Sequence, residues 1–202
     1  MSISNIKPIL SKYGPQSSRV LAALLCAFGV AALAVAILAG SALAAGSNLV
    51  KNGSFEGGTH GNGIPNKWSG TNLTTADKRD CNQSAAGDCS FKMVGNGVSK
   101  LFKQEIAVGG LAGDEFTLSA WTKGKDVAFG GGEARVYVYF NHTDGSANSL
   151  QFGIPAGTTP WSSRYYSPAT ASENYDSIRI QIQFSIDSGK IWVDKVKLVP
   201  IP

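Results

Sequence analysis

Catalytic signatures are missing from this chain. It has two histidines in 202 residues, no H-E-x-x-H or G-x-S-x-G pattern, and no serine–histidine constellation. Its acidic residues cluster toward strand ends and turns without the pairing that a glycosidase's two carboxylates need. Acid is absent altogether before Glu56, whereas Lys7, Lys12 and Arg19 all lie ahead of a long apolar run. Beyond Ala45 the remaining fifteen basic residues face fourteen acidic ones. That balance of +1 counts against a nucleic-acid binder, which needs a clustered basic surplus. Helical periodicity is also lacking after Ala45.

Val20–Leu38 carries no charge and no proline, and Ala42-Leu43-Ala44-Ala45 follows it as an A-x-A-like site. Residues 1–45 therefore read as a secretory signal peptide, with an uncleaved membrane anchor as the alternative for so long a run. In either case the basic N-terminus stays inside and the rest is exported, secreted or held at the cell surface. Membrane contact is expected only through this segment if it is uncleaved. Cys26 lies within the apolar run, which argues against a lipid-bearing cysteine. The rest, 46–202, is long enough for one domain with a real core.

Export sets the reading of Cys81 and Cys89, eight residues apart in a polar loop. In an oxidising compartment they are expected to form a disulfide. A metal knuckle is the rival, but the spacing is too long for C-x-x-C and no histidine is near. His60 and His142 read as loop residues.

Short alternating runs rich in β-branched and aromatic residues, separated by Gly, Asn, Asp and Pro, predict an all-β chain. Strands are expected near 49–55, 73–75, 90–94, 100–108, 115–123, 134–141, 149–154, 162–166, 177–186 and 190–199. Asp144-Gly145 is expected to turn between two strands, and Asp187-Ser188-Gly189 to join the last two as a tight hairpin. Gly130-Gly131-Gly132 reads as a flexible tip. About ten strands without helices imply an antiparallel β-sandwich.

Two strands assign their own faces. Ile178, Ile180, Ile182, Phe184 and Ile186 alternate with Arg179, Gln181, Gln183 and Ser185. Val136, Val138 and Phe140 alternate with Arg135, Tyr137 and Tyr139. The apolar sets are expected in the core. The other sets form a surface of rings, amides and guanidinium groups, either a sugar-gripping face or a solvated one.

Asn48–Glu56 (NLVKNGSFE) resembles the opening strand of carbohydrate-binding modules of families 4, 9, 16 and 22. Ile64–Trp68 (IPNKW) resembles their P-x-x-W segment. Gln104–Val108, Gly113 and Phe116–Lys123 resemble their central strands. Thr159-Pro160-Trp161 resembles a late turn, and Ile191–Leu198 (IWVDKVKL) the closing strand. The matches run in order along almost the whole exported portion. The resemblance implies a jelly roll, also called galactose-binding-domain-like, whose first and last strands are neighbours. It implies a structural calcium ion (Ca2+) held by Glu56 and Asp194 with backbone carbonyls, and Asp80 or Asp88 as a third carboxylate. Turn-capping by Glu56 and a surface hydrogen bond from Asp194 are the plainer alternatives.

The same resemblance implies a concave face that grips a polysaccharide or other glycan through Trp121, Tyr137, Tyr139, Arg179, Gln181 and Gln183. Trp68 and Trp161 fall in loops and suit core plugs equally well; Trp192 could face either way. Two non-enzymatic readings result. One is an exported carbohydrate-binding module. The other is a structural or adhesive cell-surface or matrix subunit that packs against itself or other surface proteins, a reading favoured by the lack of a catalytic partner in the chain.

Overall fold

A computed structural model describes residues 46–202. The expected signal or anchor therefore lies outside the described residues. The strands are β1 (Ser69–Thr71), β2 (Lys78–Asp80), β3 (Ser90–Val94), β4 (Lys100–Ile106), β5 (Glu115–Ala128), β6 (Glu133–His142), β7 (Ala147–Gly153), β8 (Gly157–Thr170), β9 (Tyr175–Ser185) and β10 (Ser188–Pro200). They form two five-stranded antiparallel sheets, ordered β1-β4-β9-β6-β7 and β2-β3-β10-β5-β8. The expected β-sandwich is what forms, with no helix among the described residues.

Alternation explains the layers. Val136, Val138, Phe140, Ile178, Ile180, Ile182 and Phe184 are fully buried, each worth about 1.5–3 kcal/mol relative to exposure. They share one apolar cluster with Phe116, Leu118, Ile191, Val193 and Leu198 of the opposing sheet. At one end, Phe91 and Phe102 stack with ring centres 3.8 Å apart, and Trp68 lies 4.6 Å from Phe102. Trp68 is thus a core plug, its indole N–H donating to the Asn52 carbonyl.

Several expectations need correction. The opening segment 49–55 turns rather than forming a strand: Asn52 and Phe55 take positive φ angles outside the extended region, and the Phe55 N–H donates to the Asn52 carbonyl. It still lies along β10: Leu49 N–H donates to the Leu198 carbonyl, and Val196 N–H to the Gly53 carbonyl. Gly53 sits so close that an added Cβ would lie 2.1 Å from the Val196 carbonyl oxygen. Residues 73–75 form a capped turn just after β1, held by Asp77 accepting from the Thr74 N–H and hydroxyl.

Asp187-Ser188-Gly189 is not a hairpin. β9 and β10 belong to different sheets, so the segment carries the chain across the end of the sandwich. At the glycine tip Gly132 packs against the Ser185 carbonyl, where no Cβ would fit, while Gly131 has open space beside it. The 162–166 run extends into the fourteen-residue β8. β8 tolerates Pro160 and Pro168 because it is an edge strand, where a missing N–H breaks no central ladder. Trp161 lies in this strand, not in a loop.

Candidate functional site

The outward face of the first sheet is built in rows by strand register. One row reads Lys103, Gln181, Tyr137, Gln151 across β4, β9, β6 and β7. The next reads Glu105, Arg179, Tyr139, Ser149, and the third Leu101, Gln183, Arg135, Gly153. Five of the six residues expected to bind ligand thus share one patch: Tyr137, Tyr139, Arg179, Gln181 and Gln183.

The patch is organised internally. The Tyr137 and Tyr139 rings stack at 5.5 Å between centres, and the Arg179 guanidinium lies 4.3 Å from the Tyr139 ring centre. Glu133 accepts from the Tyr137 hydroxyl at 2.9 Å and from Arg135 Nε. Burial, followed by this bond and the Glu133 charge, pushes the Tyr137 hydroxyl up to about 12, so it remains a neutral donor. Arg179 Nε and Gln151 Oε1 have no hydrogen-bond partner among the described residues. Gln181 is only 8 % exposed, wedged between Lys103 and Tyr137 in its row. Beside Glu105 lies a depression of about 270 Å³ lined by Leu49, Lys51, Lys67, Glu105 and Val108.

Trp121 is elsewhere. It lies on β5, in the opposite sheet, 36 % exposed and paired with Asp194 and Ser163. The resemblance groups it with the tyrosines, but β5 is hydrogen-bonded to β10 and β8, in the sheet opposite β6. Trp192 also faces outward from this second sheet, where its indole N–H donates to Asp80 and the Lys123 ammonium lies over its ring.

A covalent loop roofs that second sheet. Cys81 and Cys89 are bonded, as expected, and the loop's backbone N–H groups converge on the two predicted calcium ligands. Ala85 and Ala86 donate to Asp194 Oδ2, and Asp88 and Cys89 to Glu56 Oε1. Asp194 is fully buried. Burial raises its carboxyl above the ordinary value, the Glu56 charge adds to the rise, and the three backbone N–H bonds oppose it. Two carboxylates thus repel each other under one loop; the Arg79 guanidinium lies 3.8 Å from Glu56, and the Lys123 ammonium donates to Gln83 of the same loop. A pair of neighbouring carboxylates is an oxygen-donor set of the kind a hard cation takes. Asp80 is engaged by Trp192, Asn82 and Lys92, and the Asp88 residue meets Glu56 through its own N–H.

No protein-family model matches the chain, and no curated protein matches it. Solved structures do. A family 61 carbohydrate-binding module in complex with β-1,4-galactotriose matches at TM-score 0.54 and 16% identity, over 77% of this chain and 99% of the module. A family 16 carbohydrate-binding module matches at 0.55 and 21%, over 75% and 99%. The fold is that of a carbohydrate-binding module. The same fold occurs in the enzymatically active domain of tailspike protein 4 of bacteriophage CBA120, at TM-score 0.56 and 21% identity. There it covers 76% of this chain and 21% of the tailspike domain.

Sequence reasoning missed several neighbours in this module-like sandwich. Glu133, Glu105, Lys103 and Gln151 belong to the tyrosine face, and the parity of their own strands was the available signal. Gln104 points inward, tying Lys51 and Lys67 to β4 through its amide. His142 is not the loop residue expected: it ends β6 and is buried, with both ring nitrogens hydrogen-bonded. His60 is an exposed turn residue.

Proposed function

We propose that residues 46–202 are an exported, non-catalytic carbohydrate-binding module that holds a glycan on the outward face of the β4–β9–β6–β7 sheet. The observation that carries this reading is the Tyr137–Tyr139–Arg179 stack flanked in register by Gln181, Gln183 and Gln151. Rings offer apolar surface to a sugar ring, while amides, a neutral phenol and a guanidinium pair with its hydroxyls. The matching family 61 module was solved with β-1,4-galactotriose, a ligand class that sets the first sugars to try. Residues 1–45 act as the export signal, and the Cys81–Cys89 bond suits an oxidising destination. Glu56 and Asp194 would hold a structural calcium ion, which supplies positive charge between them and fastens the disulfide loop to β10.

Binding to an array of polysaccharides, with a pull-down on insoluble ones, tests the reading. Saturable binding lost on altering the tyrosine face supports it.

A specific observation favours a second reading, a self-assembling surface subunit. Trp121, Tyr165 and Tyr166 are exposed on or near edge strand β8, where rings and unpaired backbone suit strand-edge association. Concentration-dependent association in sedimentation, abolished by Tyr165→Ser, would favour this reading.

A further inference from the structure

We propose that the β6–β7 turn carries a site for a divalent transition-metal ion, bound by His142 Nδ1 and the carboxylates of Asp144 and Glu173. Their ligand atoms lie within 4.8 Å of one another. His142 Nδ1 is 3.9 Å from Glu173 Oε2.

The tautomer of His142 is fixed from outside this group. Asn148 donates its amide Nδ2 to the Thr170 carbonyl and accepts the Ser172 N–H on Oδ1. Its oxygen therefore faces His142 Nε2 at 2.8 Å, and that nitrogen must carry the proton. Nδ1 is left as the acceptor, its lone pair directed at the turn, where it meets the Ser146 hydroxyl at 2.8 Å. This is the tautomer in which a metal-ligating imidazole is held: one N–H anchored to an oxygen, the other nitrogen presenting its lone pair.

On the other side of the ring Ser146 serves two acceptors: its N–H donates to Asp144 Oδ1, and its hydroxyl lies 2.8 Å from Nδ1 and 2.7 Å from Asp144 Oδ1. Glu173 Oε2 brings a second carboxylate against the same nitrogen. A cation between Nδ1 and the two carboxylates would replace the hydroxyl as the partner of Nδ1 and offset both negative charges. Its surroundings are preorganised: the His142 side chain is 4 % exposed, and the Thr143 N–H donates to the Asn174 carbonyl, tying the two ligand-bearing loops together. One imidazole with two carboxylates suits zinc, nickel or manganese better than calcium, which takes oxygen ligands. The site lies apart in sequence and in sheet from Glu56 and Asp194, which sit at β10 and the disulfide loop.

The test uses tag-free protein titrated with zinc chloride, followed calorimetrically and by nitrogen-detected resonances of the two histidine rings. Binding of one zinc per chain is expected, with the His142 Nδ1 resonance shifting and the His60 resonances unmoved. Asp144→Asn and Glu173→Gln change exposed side chains, so both variants should fold, and each should weaken zinc binding roughly tenfold or more. Glu56→Gln should leave zinc affinity unchanged, and a large excess of calcium should not displace the zinc. A proton is the rival way to satisfy the acceptors. If Nδ1 is protonated at neutral pH and zinc does not bind, or if zinc binds equally well to the Asp144→Asn/Glu173→Gln double variant, the proposal is overturned.

Discussion

Lys100 is a lysine that strand alternation turns into the core. It and Asp77 are each 1 % exposed, and their side chains meet at 2.8 Å. The ammonium also donates to the Val94 carbonyl at 2.7 Å. Lys100→Met removes the charge while keeping most of the volume. It leaves a buried carboxylate that still accepts from the Thr74 N–H and hydroxyl and from the Val94 N–H. Breaking a buried pair costs about 3–5 kcal/mol. Those three remaining donors place this case near the lower end, about 3 kcal/mol, a large share of a typical 5–15 kcal/mol. The melting temperature should fall by roughly 6–12 °C for a domain of this size. Burial raises the Asp77 carboxyl, but Lys100, Thr74 and Val94 together hold it below its ordinary 3.8. The pair's stabilisation is thus complete above that ordinary value and is lost as pH falls through the folded one. Urea unfolding across a pH series checks both parts: the gap between wild type and Lys100→Met should narrow as pH drops below 3.8. A gap under about 1 kcal/mol at neutral pH, the size of a surface pair, would refute the reasoning.

Gly53→Ala should destabilise the fold by more than about 1 kcal/mol, since the methyl would press on the Val196 carbonyl. Thermal unfolding reads the loss, and an unchanged transition would mean the opening segment does not dock on β10. Chelation of calcium should lower the melting temperature of the wild type, whereas Glu56→Gln should already melt lower and respond less. Equal behaviour of the two with and without chelator would remove Glu56 from the metal.

Much of the sandwich was legible because its central strands obey a period of two. β9 and β6 sit in neighbouring positions with their Ile, Val and Phe inward and their Tyr, Arg and Gln in register outward. What escaped depends on partners rather than on pattern. Nothing in Asp187-Ser188-Gly189 says that the strand after it joins the other sheet, and the same ignorance of pairing put Trp121 with the tyrosines. The turns at 49–55 rest on positive φ angles at Asn52 and Phe55, which side-chain type leaves open. Burial of Lys100 and His142 is visible only once Asp77 and Asn148 are brought beside them from other segments. The short charged strand Lys78–Asp80 has no apolar alternation to announce it, and it pairs only at a sheet edge.

The most direct measurement is equilibrium binding of a panel of soluble and insoluble polysaccharides to wild-type protein and to the Tyr137→Ala/Gln181→Ala double variant. At least one glycan should bind the wild type saturably, and the variant, still folded by circular dichroism, should lose at least tenfold in affinity, about 1.4 kcal/mol. Equal binding by both proteins, or no glycan bound by either, would contradict a sugar site on this face.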